Sequence, residues 1–176
     1  MEQVYLLTGK PGTGKTSLIK QAIATMKIKA GGFYTEEIRT QGIRQGFRLV
    51  TLDGQTAIMA HVDIKSPYVV SKYGVDIDSL DRIGVSALEH EAQECHLVVI
   101  DEIGKMELFS AKFRNAVLSI IDSSKKVLGT IMLNPNPWAD AIKRKPRVQV
   151  ITVTRENHQQ VLAELLHWLN EQPHAD

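Results

Sequence analysis

Cysteine is almost missing from this chain of 176 residues. Cys95 stands alone, so an internal disulfide and a cysteine-based metal cluster are both excluded, which agrees with a reducing compartment. No apolar run approaches the roughly 18 residues of a membrane span. The opening MEQVYLLTGKPG lacks a basic start followed by a long apolar stretch and a cleavage site, so a cytoplasmic location is expected. Net charge is nearly absent as well. At +1 it supplies no global field for nucleic acid, which makes such a partner unexpected without excluding it, since Lys143, Arg144, Lys145 and Arg147 form a local basic cluster. The six histidines are scattered without i, i+4 pairing, which disfavours a transition-metal site. Internal repeats and low-complexity segments are also lacking. What remains has ordinary globular composition and a length suited to one domain, 1–176.

The order of elements is regular. Val4 to Thr8 is an apolar strand ending in a glycine-rich turn, and Ser17 to Met26 carries apolar residues at helical spacing. Residues 32–35 and 47–52 alternate as a hairpin around a polar tip at Gln41 to Arg44, and Thr56 to His61 continues the meander. Tyr68 to Val70 is a further strand, followed by a helix beginning near Asp78 or Ser79. Leu97 to Ile100 is a continuous apolar run of the type buried on both faces of a parallel sheet. Ser110 can cap a helix carrying Phe113, Ala116, Val117, Ile120 and Ile121 on one face. Strands at Val127 to Met132 and Val148 to Val153 alternate with helices around Trp138 to Ile142 and Val161 to Leu169, and the tail from Gln172 is expected to be loose. This rhythm predicts an α/β three-layer fold, a mostly parallel central sheet with an early antiparallel hairpin.

Gly9-Lys10-Pro11-Gly12-Thr13-Gly14-Lys15-Thr16 fits G-x-x-x-x-G-K-[ST] and lies between a strand and a helix, as that phosphate-binding motif requires. Small residues let backbone N–H groups wrap a phosphate, and the helix beginning near Lys15 aims its positive dipole end at the same point. In this setting Lys15 reaches the β- and γ-phosphates and the Thr16 hydroxyl ligates Mg²⁺. Lys10 occupies a variable position and needs no catalytic role.

Leu97-Val98-Val99-Ile100-Asp101-Glu102 places two acids at the end of a buried strand, the pattern of a Walker B segment. Asp101 would hold Mg²⁺ through its water shell, and Glu102 could polarise the water that attacks the γ-phosphorus. Ile103 and Gly104 follow, completing a D-x-x-G that small GTPases also show. Against that alternative, N-K-x-D is absent, and about 85 residues separate the motifs, leaving room for a strand between theirs. An acid directly after the metal-binding Asp favours hydrolysis with glutamate activating water.

Four segments resemble a known family, the small RecA-like P-loop nucleoside-triphosphatases first described from thermophiles and including the cancer-related nucleoside-triphosphatase. They are residues 9–16, 32–39, 46–54 and 99–108, of which GFYTEE and IDEIGKMEL are the most particular. The resemblance implies Mg²⁺-dependent hydrolysis of several nucleoside triphosphates to diphosphates, slow and with relaxed base choice. Two positions depart from the family pattern: Lys10, where a small or apolar residue is usual, and His158, where arginine is.

Other residues admit two readings each. Glu36, Glu37 and Arg39 lie on the early hairpin, Glu37 and Arg39 on one face, and either approach the triphosphate or form a cross-strand ion pair with Arg48. Lys105 and Glu107 either border the nucleotide or pair at a helix entry. Arg144 and Arg147 are candidate arginine fingers, and nothing in the sequence selects one. Trp138 and Trp168 read as core. The runner-up functions are a kinase of a nucleotide or small molecule and a nucleotide-gated module binding RNA or protein through the basic cluster. A monomer or weak oligomer is expected.

Overall fold

Alternate residues of the buried strands feed two different cores. In β7 (Leu97–Ile103), Val98 and Ile100 pack on one face, Leu97 and Val99 on the other. That is why this strand reads as an uninterrupted apolar run. The computed structural model describes residues 3–171, with residues 91 and 92 described by their backbone alone; the tail from Gln172 lies outside the described residues.

The sheet comprises β1 (Val4–Thr8), β2 (Ala30–Thr40), β3 (Ile43–Thr51), β4 (Thr56–His61), β5 (Val69–Val70), β6 (Tyr73–Val75), β7, β8 (Lys126–Ile131) and β9 (Val148–Thr152). Across it the order is β5-β6-β4-β3-β2-β7-β8-β1-β9. From β2 to β9 the neighbours run parallel, and from β2 through β3, β4 and β6 to β5 they run antiparallel. The strand expected between the two motif strands is β8. A two-residue Gln41-Gly42 turn, both at positive φ, closes the β2–β3 hairpin, a shorter tip than the sequence implied and the geometry that suits strand twist.

The helices are α1 (Lys15–Met26), α2 (Ile77–Ser79), α3 (Ser86–Glu89), α4 (Ala111–Ile121), α5 (Pro137–Lys143) and α6 (His158–Asn170), with a π-helical segment Leu80–Val85 joining α2 to α3. One core lies under α4, α5 and the α2–α3 stretch; the other lies under α1 and α6, where Leu18, Ile19, Val161, Leu165 and Trp168 meet. The three layers match expectation.

Helix starts follow their caps. The Ser110 hydroxyl accepts the Phe113 N–H at 3.0 Å, as the sequence predicted. Asp76 caps α2 by accepting the Ser79 N–H at 3.0 Å, so that helix opens at Ile77, just before the expected start. α1 begins at Lys15, as expected from the motif, because left-handed Gly14 ends the loop there. The parallel strands all run toward one edge, which gathers the segments following β1, β7, β8 and β9.

Candidate active site

Glycines shape the loop between β1 and α1. Gly9 and Gly14 have φ of 148° and 83°. A Cβ on Gly9 would stand 2.5 Å from the Val153 carbonyl oxygen, and one on Gly14 2.8 Å from His158 Nε2. The loop is therefore pressed against the segment that leaves β9, and any side chain at either position would push it away. Lys15 arches across the loop, its ammonium donating to the carbonyls of Gly9 and Lys10 at 3.0 and 2.9 Å. The Thr13 hydroxyl also donates to the Lys10 carbonyl, at 3.0 Å. Lys10 thus contributes its carbonyl, while its side chain is exposed. An ammonium, a cupped backbone and the N-terminus of a 12-residue helix converge, the arrangement that holds phosphate.

Two strands over, Asp101 is buried, 3% exposed. Thr16 donates to its Oδ2 at 2.6 Å and Thr130 to its Oδ1 at 2.5 Å. Burial pushes this carboxyl above its ordinary value, while the hydrogen bonds from Thr130 and Thr16, and then the charges of Lys15 and Lys20, pull the other way. The Glu102 side chain folds back over Gly104, with Oε1 2.5 Å from where a Gly104 Cβ would stand. Only glycine leaves room for it. Burial raises the Glu102 carboxyl, the neighbouring Asp101 charge raises it further, and Lys15 opposes both, making the group a stronger base than an exposed glutamate.

A third acid stands behind these two. Glu107 is 2% exposed, and the main-chain N–H groups of Glu107 itself and of Gly104 favour its ionised form. Burial raises it well above its usual value, and the nearby Glu102 charge adds to that shift.

A family model described as NTPase matches residues 4–166. The chain belongs to the NTPase family. It is 47% identical over 164 residues, 93% of this chain and 91% of the other, to a protein of Thermotoga petrophila named nucleoside-triphosphatase THEP1. A mouse protein named cancer-related nucleoside-triphosphatase homolog is 35% identical over 182 residues, covering 94% of this chain and 96% of its own. Among solved structures, THEP1 of Aquifex aeolicus superposes with a TM-score of 0.87 at 35% identity, covering 96% of this chain and 99% of that one. The solution structure of a human cancer-related nucleoside triphosphatase gives 0.82 at 34% identity, over 98% and 100% of the two chains.

The structure of this NTPase corrects several expectations. The Ile103 side chain is fully buried in the core and the residue pairs with Ile131, and Gly104 is buried beneath Glu102. Arg144 and Arg147 precede β9, and the Arg147 carbonyl accepts the Val4 N–H at the start of β1. They lie at the sheet edge opposite the phosphate loop, too far along the strands to reach the loop of their own chain. Their cluster is also engaged structurally: Lys143 pairs with Asp140, Lys145 with Asp122, and the Arg147 guanidinium donates to the Ser123 carbonyl.

The hairpin charges resolve to ion pairs. Glu37 holds Arg39 and Arg44 at 2.6 and 3.1 Å, and Glu36, rather than Glu37, faces Arg48 at 3.6 Å while also meeting Lys20 at 3.3 Å. Glu107 does not pair with Lys105 at a helix entry: Lys105 is exposed, and Glu107 is buried beside Glu102. Trp168 is core, stacked on Tyr5 with centroids 4.4 Å apart. Trp138 is half-buried at the core margin. His158 lies 3.3 Å from the Gly14 carbonyl through Nε2, so it meets the loop where arginine was expected.

Thr130 was missed by sequence reasoning. Its signal was a lone hydroxyl inside the apolar Val127 to Met132 run, on a strand flanking both motifs.

Proposed function

We propose that this chain hydrolyses nucleoside triphosphates to nucleoside diphosphate and phosphate, with Mg²⁺ as cofactor and Glu102 activating water. The observation that carries the reading is the 2.6 Å contact between Thr16 and Asp101. It joins the phosphate cradle to the acid pair at one point. The donor set there, a hydroxyl and a carboxylate, suits Mg²⁺, which takes oxygen ligands, few of them from protein, and keeps several waters. Thr16 would hold the ion directly and Asp101 through its water shell. When bound, Mg²⁺ supplies neutralisation of charge on the β- and γ-oxygens.

The residues divide the remaining work. The Lys15 ammonium exchanges two carbonyl partners for β- and γ-phosphate oxygens, gaining charge-assisted bonds. Loop amides and the α1 N-terminus hold the β-phosphate. Glu102 takes a proton from water as the water oxygen bonds to the γ-phosphorus. The bond from the γ-phosphorus to the bridging oxygen breaks, and the diphosphate leaves with that electron pair. The proton then passes from Glu102 to the phosphate or to solvent. Relaxed base choice, a single domain and a cytoplasmic location complete the proposal.

Phosphate release from each nucleoside triphosphate, with and without Mg²⁺, tests it. Wild type should release phosphate from several triphosphates without an acceptor and only with Mg²⁺, and Lys15→Ala should lose this activity. Release that requires a metabolite and yields a phosphorylated product would instead show a kinase.

A further inference from the structure

The sheet edge opposite the phosphate loop carries a second concave surface. A cavity of about 750 Å³ opens there beside the C-terminal ends of α1 and α6, with Ile28, Leu97 and Leu169 among its apolar lining. That volume is in the range of small-molecule sites. Lys27, Lys29, Lys125 and Lys126 line it, and among the described residues Glu171 is the one carboxylate in the lining.

Helix ends explain only part of this. Lys126 Nζ donates to the carbonyls of Trp168 and Glu171, both at 2.6 Å, and Lys125 Nζ to those of Gln93 and Cys95 at 2.8 and 3.0 Å. A helix C-terminus amounts to roughly half a negative charge, so about half of the Lys126 ammonium's charge stays unmatched by the end of α6. No lysine of the four has an ion-pair partner among the described residues. Lys27 and Lys29 have no hydrogen bond there either. Lys27 also sits at φ 52°, a backbone state in which glycine or asparagine is the usual occupant. Burial lowers the Lys126 ammonium below its ordinary value, with Glu171 opposing.

Like charges gathered in a concavity repel one another, and a bound anion offsets that cost. We propose that this cavity is a second anion site, taking the di- or triphosphate group of a small phosphorylated molecule. Lysines act there as point charges on phosphate oxygens, above an apolar floor that can receive the rest of the ligand. The 12 residues of α1 separate the cavity from the phosphate loop by about 18 Å.

Trp168 reports on the site, because the Lys126 ammonium lies 5.3 Å from its ring centroid. In the full chain carrying Trp138→Phe, titration with pyrophosphate should give a saturable change in Trp168 emission at constant ionic strength. Lys27→Asn with Lys29→Gln, substitutions at exposed positions that respect the left-handed backbone, should weaken it at least tenfold and leave turnover within about twofold. Lys15→Ala, which disables the phosphate loop, should leave the signal in place, so the two sites are tested separately. Tighter binding of ADP than of pyrophosphate would assign a nucleotide as ligand, and equal binding a phosphate group alone; either supports the site. No saturable change, or one unaltered by the Lys27 and Lys29 substitutions, overturns it.

Discussion

Thr130 donates its hydroxyl to Asp101 Oδ1 at 2.5 Å from the strand that separates the Asp101 strand from the phosphate-loop strand. With Thr16 on the other oxygen, at 2.6 Å, the carboxylate is fixed from both sides at a depth where an unpaired acid would take up a proton. Thr130→Val keeps the shape and removes the donor. It should destabilise the fold by about 1–3 kcal/mol, the cost of an unsatisfied buried acceptor, and lower both the melting temperature and the turnover. Thr130→Ser should recover most of each. Thermal melts and phosphate release on the three proteins check this, and unchanged values for Thr130→Val would remove the contact from the account.

Gly14 and His158 make a second test, because strain and crowding coincide there. At φ 83° a side chain costs about 1–2 kcal/mol in backbone conformation alone, and a Cβ would also meet the His158 ring at 2.8 Å. Gly14→Ala should weaken nucleotide binding at least tenfold. Adding His158→Ala should restore only a small part, since the backbone strain persists. Full restoration would show that crowding was the whole effect.

Glu107 predicts a pH dependence of stability. Its carboxyl is raised well above the ordinary 4.5 in the folded chain. Below the ordinary carboxylate range both states hold the proton and burial costs nothing. As pH rises through 4.5 toward the folded value, the unfolded chain releases its proton first and stability falls. Glu107→Gln should therefore melt higher than wild type near neutral pH, by a few degrees, with the gain shrinking to nothing under acid conditions. Melting curves without nucleotide across that range check the sign; a gain that grows as pH falls would contradict it.

The phosphate loop was legible because its chemistry is local: spacing within eight residues fixes which amides, ammonium and hydroxyl converge. The Asp101 and Glu102 pair was legible through the apolar run before it, and the three layers through alternating periodicities. Thr130 and Glu107 were not resolved because their roles depend on register between strands and on burial, neither of which a single segment displays. The burial of the Ile103 side chain was not legible either, since nothing in Asp101-Glu102-Ile103-Gly104 tells which side of the strand end faces the core. Arg144 and Arg147 were offered as fingers because they flank a strand, yet they flank its start, and the active edge lies at the strand ends.

The central claim is that the glutamate after the buried aspartate activates water beside the phosphate loop. Glu102→Gln keeps size and polarity and removes the base. Steady-state phosphate release and nucleotide affinity should be measured together on this variant and wild type. The account predicts turnover lower by about 10²–10⁴-fold, with the dissociation constant for the triphosphate essentially unmoved. Turnover equal to wild type at full occupancy would contradict it.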